Sequence, residues 1–187
     1  MSRSVCHAVV TVRRVEGAGQ RHDRRPVDPT TKYVRRVDRG VAAEVDEVVG
    51  VAAVYVTTRD DALQPHLARG WGARVHAGEG CLDLVIATSD CPAVVADLES
   101  NGAMAVTFVV PTTYKALQVK GTLEHMGEPS LEDHERVQAH LQAFVEQCIA
   151  VGLSDAAAVF GTELLAARMR ITSVYEQTPG AGAGRPL

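Results

Sequence analysis

Residues 101–124 read NGAMAVTFVVPTTYKALQVKGTLE. Two β-rich runs, Ala103–Val110 and Ala116–His125, flank a short loop from Pro111 to Lys115 that carries two threonines, a tyrosine and a lysine. In the second run Gln118 and Lys120 fall on one face and Leu117 and Val119 on the other, the period of a half-buried strand. A polar, positively charged loop beside an alternating strand is suited to a planar ligand with a phosphate tail.

Working backward, Asn101-Gly102 is a stop signal for a short helix, AVVADLES, with Pro92 at its first position and Asp90 or Cys91 as its cap. Before it, Cys81–Ala87 reads as a strand and Ala77-Gly78-Glu79-Gly80 as a hairpin turn after a strand over Pro65–His76. Val51–Thr58 is a β-branched run, and Val41, Val45, Val48 and Val49 recur at helical spacing up to Gly50.

Working forward, Ser130 opens the longest helix with a capping-box-like SLED. Its apolar stripe is Val137, Leu141, Phe144, Val145, Cys148 and Ile149. A shorter helical segment is expected at Ser154–Phe160, then a strand at Leu164–Tyr175 with alternation at Met169, Ile171 and Val174. Six strands, mostly hairpin-connected, with two or three helices predict a mainly β fold, a small antiparallel barrel with α additions. Residues 1–40 form a basic leader expected to lie outside the fold, 41–178 the barrel domain, and 179–187 a Gly/Pro-rich tail.

The chain has 187 residues, enough for one domain with a substantial core, and 46% of them are apolar. No apolar run approaches the ~18 residues of a membrane span, and the N-terminus lacks a signal-peptide pattern, so a cytoplasmic protein is expected, with no membrane partner. The net charge of −4 hides an asymmetry. Residues 1–40 hold ten Lys/Arg and four Asp/Glu, and the remainder nine and nineteen. An acidic body argues against nucleic acid as a partner, and the basic leader reads as a solvated arm. Cysteines at 6, 81, 91 and 148 form no CxxC pair and match no zinc spacing, so free thiols are expected. The histidines at 66, 76, 125, 134 and 140 show no metal spacing, and most are expected in solvent. There is no GxSxG and no Walker loop, and GAGAGR at Gly180–Arg185 follows a strand but opens no helix.

The order of elements, with ARGWGARV (Ala68–Val75), AVTF followed by PTTYKALQVKG (Ala105–Gly121) and QTPGAGAG (Gln177–Gly184), resembles the pyridoxamine 5′-phosphate oxidase-like flavin proteins over about residues 41–184. The resemblance implies an FMN-binding split β-barrel that pairs as a homodimer, with FMN in a cleft at each side of the interface. Matched by motif, Arg69 and Arg74 lie on the second strand, where this family places basic residues near the ligand. Thr88 and Ser89 end the third strand, where a hydroxyl sits beside the flavin, and Gln118 matches a flavin-side glutamine. Lys115 is a further candidate to neutralise phosphate, and Trp71 to stack on the ring. Where the family's oxidases start the short helix with Ser-Arg-Lys, this chain reads Ser89-Asp90-Cys91-Pro92, without the Arg-Lys pair and with an aspartate that would repel phosphate.

Each candidate also has a plain structural reading. Arg69 and Arg74 are five apart and face opposite sides of an unbroken strand, unless a bulge at Gly70 or Gly72 realigns them. Lys115 and Lys120 read equally as solvated cations, Trp71 and Tyr114 as packing residues, and Cys91-Pro92 as a helix start rather than a haem-type Cys-Pro motif. No catalytic acid or base stands out, which suits hydride transfer to an unidentified small molecule. The expectation is therefore an FMN-dependent oxidoreductase. The alternatives are a non-catalytic carrier or sensor of haem, flavin or deazaflavin, for which His66, His76 and Cys91 are the candidate haem ligands, or a ligand-free dimeric interaction module.

Overall fold

The computed structural model describes residues 39–89, 91–153 and 163–187. Its elements are α1 (Arg39–Val49), β1 (Ala53–Arg59), β2 (Pro65–His76), β3 (Cys81–Ala87), α2 (Ala93–Ser100), β4 (Ala103–Val109), β5 (Ala116–Gly127), α3 (Leu131–Ala150) and β6 (Leu164–Glu176). The six strands close into an antiparallel barrel in the order β1-β2-β3-β6-β5-β4. This is the mainly β, six-stranded architecture expected from the sequence. The segment expected as helix at Ser154–Phe160, Asp90, and all of the basic leader but its last two residues lie outside the described residues.

Alternation decides which face of each strand is buried. Val54 and Val56 of β1, Leu82, Leu84 and Ile86 of β3, Val106 and Phe108 of β4, Leu117 and Val119 of β5, and Met169 and Ile171 of β6 fill the interior. Helices α1 and α2 add Val45, Val48, Val94 and Leu98 to the same cluster. On β6 the pairing skips Thr172, because Lys120 faces Ser173 while Gly121 faces Ile171. That extra residue is why Ile171 and Val174, three apart, are both buried.

The outer face of β1–β3 is covered by α3. A second cluster there joins Val137, Phe144 and Cys148 of α3 to Ala53, Trp71, Val85 and Ala87. Ser130 caps α3, its hydroxyl accepting from the Asp133 amide while the Asp133 carboxylate accepts from the Ser130 amide. The stripe differs from expectation at its end: Ile149 is 59% exposed, because it sits about 100° further round the helix than Cys148. His140, one of the histidines of which most are expected in solvent, is buried within the stripe. At α2, Pro92 itself is the N-cap with no side-chain cap, and the first amides reach back to Cys91 O and Pro92 O. The tail folds back on β6 through Leu187 N to Val174 O and a bridge between Tyr175 and Pro186. No helix among the described residues is long and apolar enough to cross a membrane.

Candidate functional site

Strand register sets one line of outward side chains across the barrel. Ala87 on β3 is opposite Arg69 on β2, Arg69 opposite Tyr55 on β1, and Tyr55 opposite Thr107 on β4. Thr107 is then opposite Gln118 on β5, and Gln118 opposite Tyr175 on β6. Arg69 and Gln118 thus stand three strand spacings apart, about 14 Å along the sheet. Gln118 Nε2 donates to Thr107 Oγ1 at 3.0 Å, which fixes one amide hydrogen and leaves the rest of the carboxamide for a ligand.

Arg69 is the notable member of this row. Its guanidinium carbon lies 4.9 Å from the Tyr55 ring centroid, 5.2 Å from Trp71 and 5.4 Å from Phe144. Its Nε and Nη2 atoms are buried, and neither has a hydrogen-bond partner among the described residues. Cation–π contact offsets part of the desolvation, but two buried donors without acceptors among the described residues remain unfavourable.

A bulge does realign the two arginines. The β2–β3 register shifts between Trp71 and Arg74, so Arg69 faces Ala87 and Arg74 faces Asp83, both on the outer side. Arg74 is nonetheless engaged elsewhere: its Nη1 is 2.6 Å from Glu132 Oε1 of α3, and its Nη2 is 3.8 Å from Asp83 Oδ2. Lys115 pairs with Glu47 of α1 at 2.7 Å, a hydrogen bond that lowers the Glu47 pKa and raises that of the lysine. Trp71 is 1% exposed under α3, edge-on to His140 and Phe144, and its ring lies beside Arg69 of the row. Thr88 adjoins Ala87, and its hydroxyl is 3.4 Å from Glu163 O. Ser89 is exposed in the following turn. Of the candidates read from the sequence, Arg69 and Gln118 share the row, Thr88 borders it, and Arg74 and Lys115 are held by carboxylates outside it.

The haem-ligand candidates are also engaged. His66 Nδ1 is 2.8 Å from Asp97 Oδ2, which also accepts from Thr58 Oγ1, and His76 Nε2 is 2.7 Å from Asp83 Oδ2. Cys91 packs against the barrel interior. Among the described residues no group of three or more His, Cys, Asp or Glu is placed to hold a metal ion.

His140 was not distinguishable from its sequence neighbours, yet it holds the site's wall. Gly72, at φ 56°, donates its N–H to His140 Nδ1 at 2.8 Å, so the other nitrogen, Nε2, carries the proton and donates to Ala52 O at 2.9 Å. Arg136, one turn earlier on α3, donates from Nε to Gly72 O at 3.1 Å. A side chain on Gly72 would meet the α3 backbone at 3.1 Å and the φ is left-handed, so the bulge favours glycine. Burial pushes the His140 pKa down, and the charge of Arg69 adds to this against the Ala52 hydrogen bond.

The sign of the linkage follows. Above about pH 6.5 the ring is neutral in both states, and its contribution is fully present. Below that, the unfolded chain takes up a proton that the folded chain refuses, so stability falls with acid. The slope of unfolding free energy on pH between 6.5 and 5 is expected to fall in His140→Gln, by up to about 1.4 kcal/mol per pH unit. Glutamine can accept from Gly72 and donate to Ala52 without titrating. Identical slopes in denaturant titrations of the two proteins would refute this assignment.

A cavity of about 310 Å³ lies at the Gln118 end of the row, lined by Thr107, Val109, Tyr114, Ala116, Gln118, Gln177 and Pro179. A second of equal size is lined by Asp83, Leu84, His125, Asp133, Ala166, Ala167 and Arg168. In the second, the charged groups are already engaged: Arg168 donates twice to Asp83, and Asp133 is held by Ser130 and Arg136.

No protein-family model matches the chain, and no curated protein is significantly similar to it. Solved structures similar to it include a protein from Clostridium acetobutylicum related to general stress protein 26, of the pyridoxinephosphate oxidase family. That one has TM-score 0.46 and 17% identity, over 75% of this chain and 92% of that one. An FMN-binding protein from Syntrophomonas wolfei matches with TM-score 0.46 and 9% identity, over 74% and 86% of the two chains. HupZ of Group A Streptococcus matches with TM-score 0.46 and 13% identity, over 76% and 98%.

Proposed function

We propose that this chain is an FMN-binding oxidoreductase of the pyridoxamine 5′-phosphate oxidase-like kind, with the flavin laid along the outward row. Its phosphate would meet Arg69 and its ring would meet Gln118. The observation that carries this reading is the register itself, which sets a cation with two unsatisfied buried donors and an uncharged, amide-lined cavity on one line of the sheet. Their separation suits a tricyclic ring plus its ribityl chain. An anion admitted at Arg69 by a shift of the side chains packed on it would satisfy Nε and Nη2 by charge-assisted hydrogen bonds. With Arg74 and Lys115 held by carboxylates, Arg69 is the one cation among the candidates left to do this.

When bound, the flavin would supply hydride or electron transfer to a small-molecule substrate. The chain's own part is positional. Gln118, steadied by Thr107, would orient the ring edge, and Thr88 would offer a hydroxyl at the Ala87 end. Trp71, Phe144 and α3 would keep water from the Arg69 side. In this reading a second copy of the chain would lie on the outward faces of β4 and β5 and enclose the ligand, so a homodimer belongs to this proposal.

Titration of the purified full chain with FMN and with riboflavin tests it. FMN is expected to survive desalting and to bind about ten- to a hundredfold more tightly than riboflavin, the worth of charged hydrogen bonds to one phosphate. A protein that ignores FMN, or binds both equally, would defeat the reading.

A further inference from the structure

Tyr114 is one of two described non-glycine residues with a positive φ, at 58°, and its side chain is 66% exposed. A large residue does not adopt the left-handed region without being held there. The holding is visible. Tyr114 N donates to Val110 O at 2.9 Å, Val110 N donates to Lys115 O at 2.9 Å, and Lys115 N donates to Thr113 Oγ1 at 3.2 Å. Helices on two sides then fix the loop from outside, with Thr112 Oγ1 on Gln147 of α3 at 2.5 Å and Lys115 Nζ on Glu47 of α1 at 2.7 Å. The loop is braced by four residues other than Tyr114, and the tyrosine ring is presented to solvent at the edge of the 310 Å³ cavity.

The lining of that cavity is uncharged. It offers two carboxamides (Gln118 and Gln177), the Thr107 hydroxyl and the phenol, set among Val109, Ala116 and Pro179. Such a surface suits a flat, neutral ring with hydrogen-bonding groups along its edge, and it disfavours an ionised one because no counter-charge lines it. An exposed aromatic held at the mouth completes it by stacking on the ring face.

We propose that Tyr114 is the stacking residue of this cavity and selects a flat, uncharged ring for its Gln118 end. This rests on the flavin reading for the identity of the ring, but not for the cavity. Three probes separate the two: FMN, riboflavin, and lumichrome, the bare tricycle without a side chain. Bound flavin emission is expected to be strongly quenched by the tyrosine. In Tyr114→Asn, which tolerates the left-handed backbone, emission should recover and affinity should fall about two- to tenfold, equally for FMN and riboflavin. Tyr114→Phe should keep the affinity. If FMN binds and Tyr114→Asn changes neither affinity nor emission, this inference falls and the flavin reading stands. If lumichrome binds in a Tyr114-dependent way and FMN does not, the flavin reading falls and the cavity assignment stands. If none of the three binds, both fall.

Discussion

Replacing Gly121 by alanine is expected to destroy the barrel's stability, the largest effect of an added methyl at any of the described glycines. Gly121 lies on β5 where its pairing with β6 shifts register. A Cβ there would stand 2.0 Å from Arg170 O, 2.9 Å from Arg170 C and 2.7 Å from Met169 Cε. The methionine end can move, but the Arg170 carbonyl is part of the neighbouring strand, so the two strands would have to separate. Overpacking typically costs about 1–3 kcal/mol, and more where backbone must shift, against a total stability of about 5–15 kcal/mol. A drop of roughly 10 °C or more in Tm, or loss of soluble protein, is the expected result. Gly78→Ala is the control, because nothing lies within 4 Å of the added methyl in that hairpin turn. If Gly121→Ala melts within a degree or two of the parent while Gly78→Ala does the same, the β5–β6 register is wrong.

How much of this was legible beforehand depends on whether the information is local. The alternation in residues 101–124 gives the correct faces: Met104, Val106 and Phe108 point in, as do Leu117 and Val119, while Gln118 is turned out. Local chemistry also gives the Ser130 cap and the stop after Ser100. What a strand pairs with is not local. The β3–β6 ladder joins Cys81 to Arg170, and nothing near either residue announces it. The row of Arg69, Tyr55, Thr107 and Gln118 exists only once three ladders are in register. The fate of the cations is equally remote, since Arg74 and Lys115 meet Glu132 and Glu47 from other parts of the chain. The histidines show no metal spacing and most were expected in solvent, so nothing in the sequence singled out His140. Its role depends on a bulge 68 residues earlier, whose N–H has no strand partner and donates to the ring instead.

Replacing Arg69 by methionine is expected to move ligand affinity and stability in opposite directions. Methionine keeps the unbranched stem as far as the Nε position, which fills part of the space beside Tyr55, Trp71 and Phe144 without reaching the guanidinium position. It removes two buried donors that have no acceptor among the described residues, which relieves a desolvation cost of about 1–3 kcal/mol per fully buried group. The loss of cation–π attraction, roughly 0.5–2 kcal/mol, works the other way. The empty variant should therefore be at least as stable as the parent in thermal unfolding. A purely structural arginine would instead leave the variant weaker. The ligand result should be the reverse. Charged hydrogen bonds to phosphate contribute about 1.5–3 kcal/mol, so FMN affinity should fall about ten- to a hundredfold, while riboflavin, lacking the phosphate, should bind almost unchanged. The parent's preference for FMN over riboflavin would vanish in the variant. An arginine kept only for its packing predicts the other pattern: lower stability, with the FMN preference intact. The two patterns share no outcome, so one pair of titrations and one melting curve decide whether the buried cation of this barrel is there for its neighbours or for an anion.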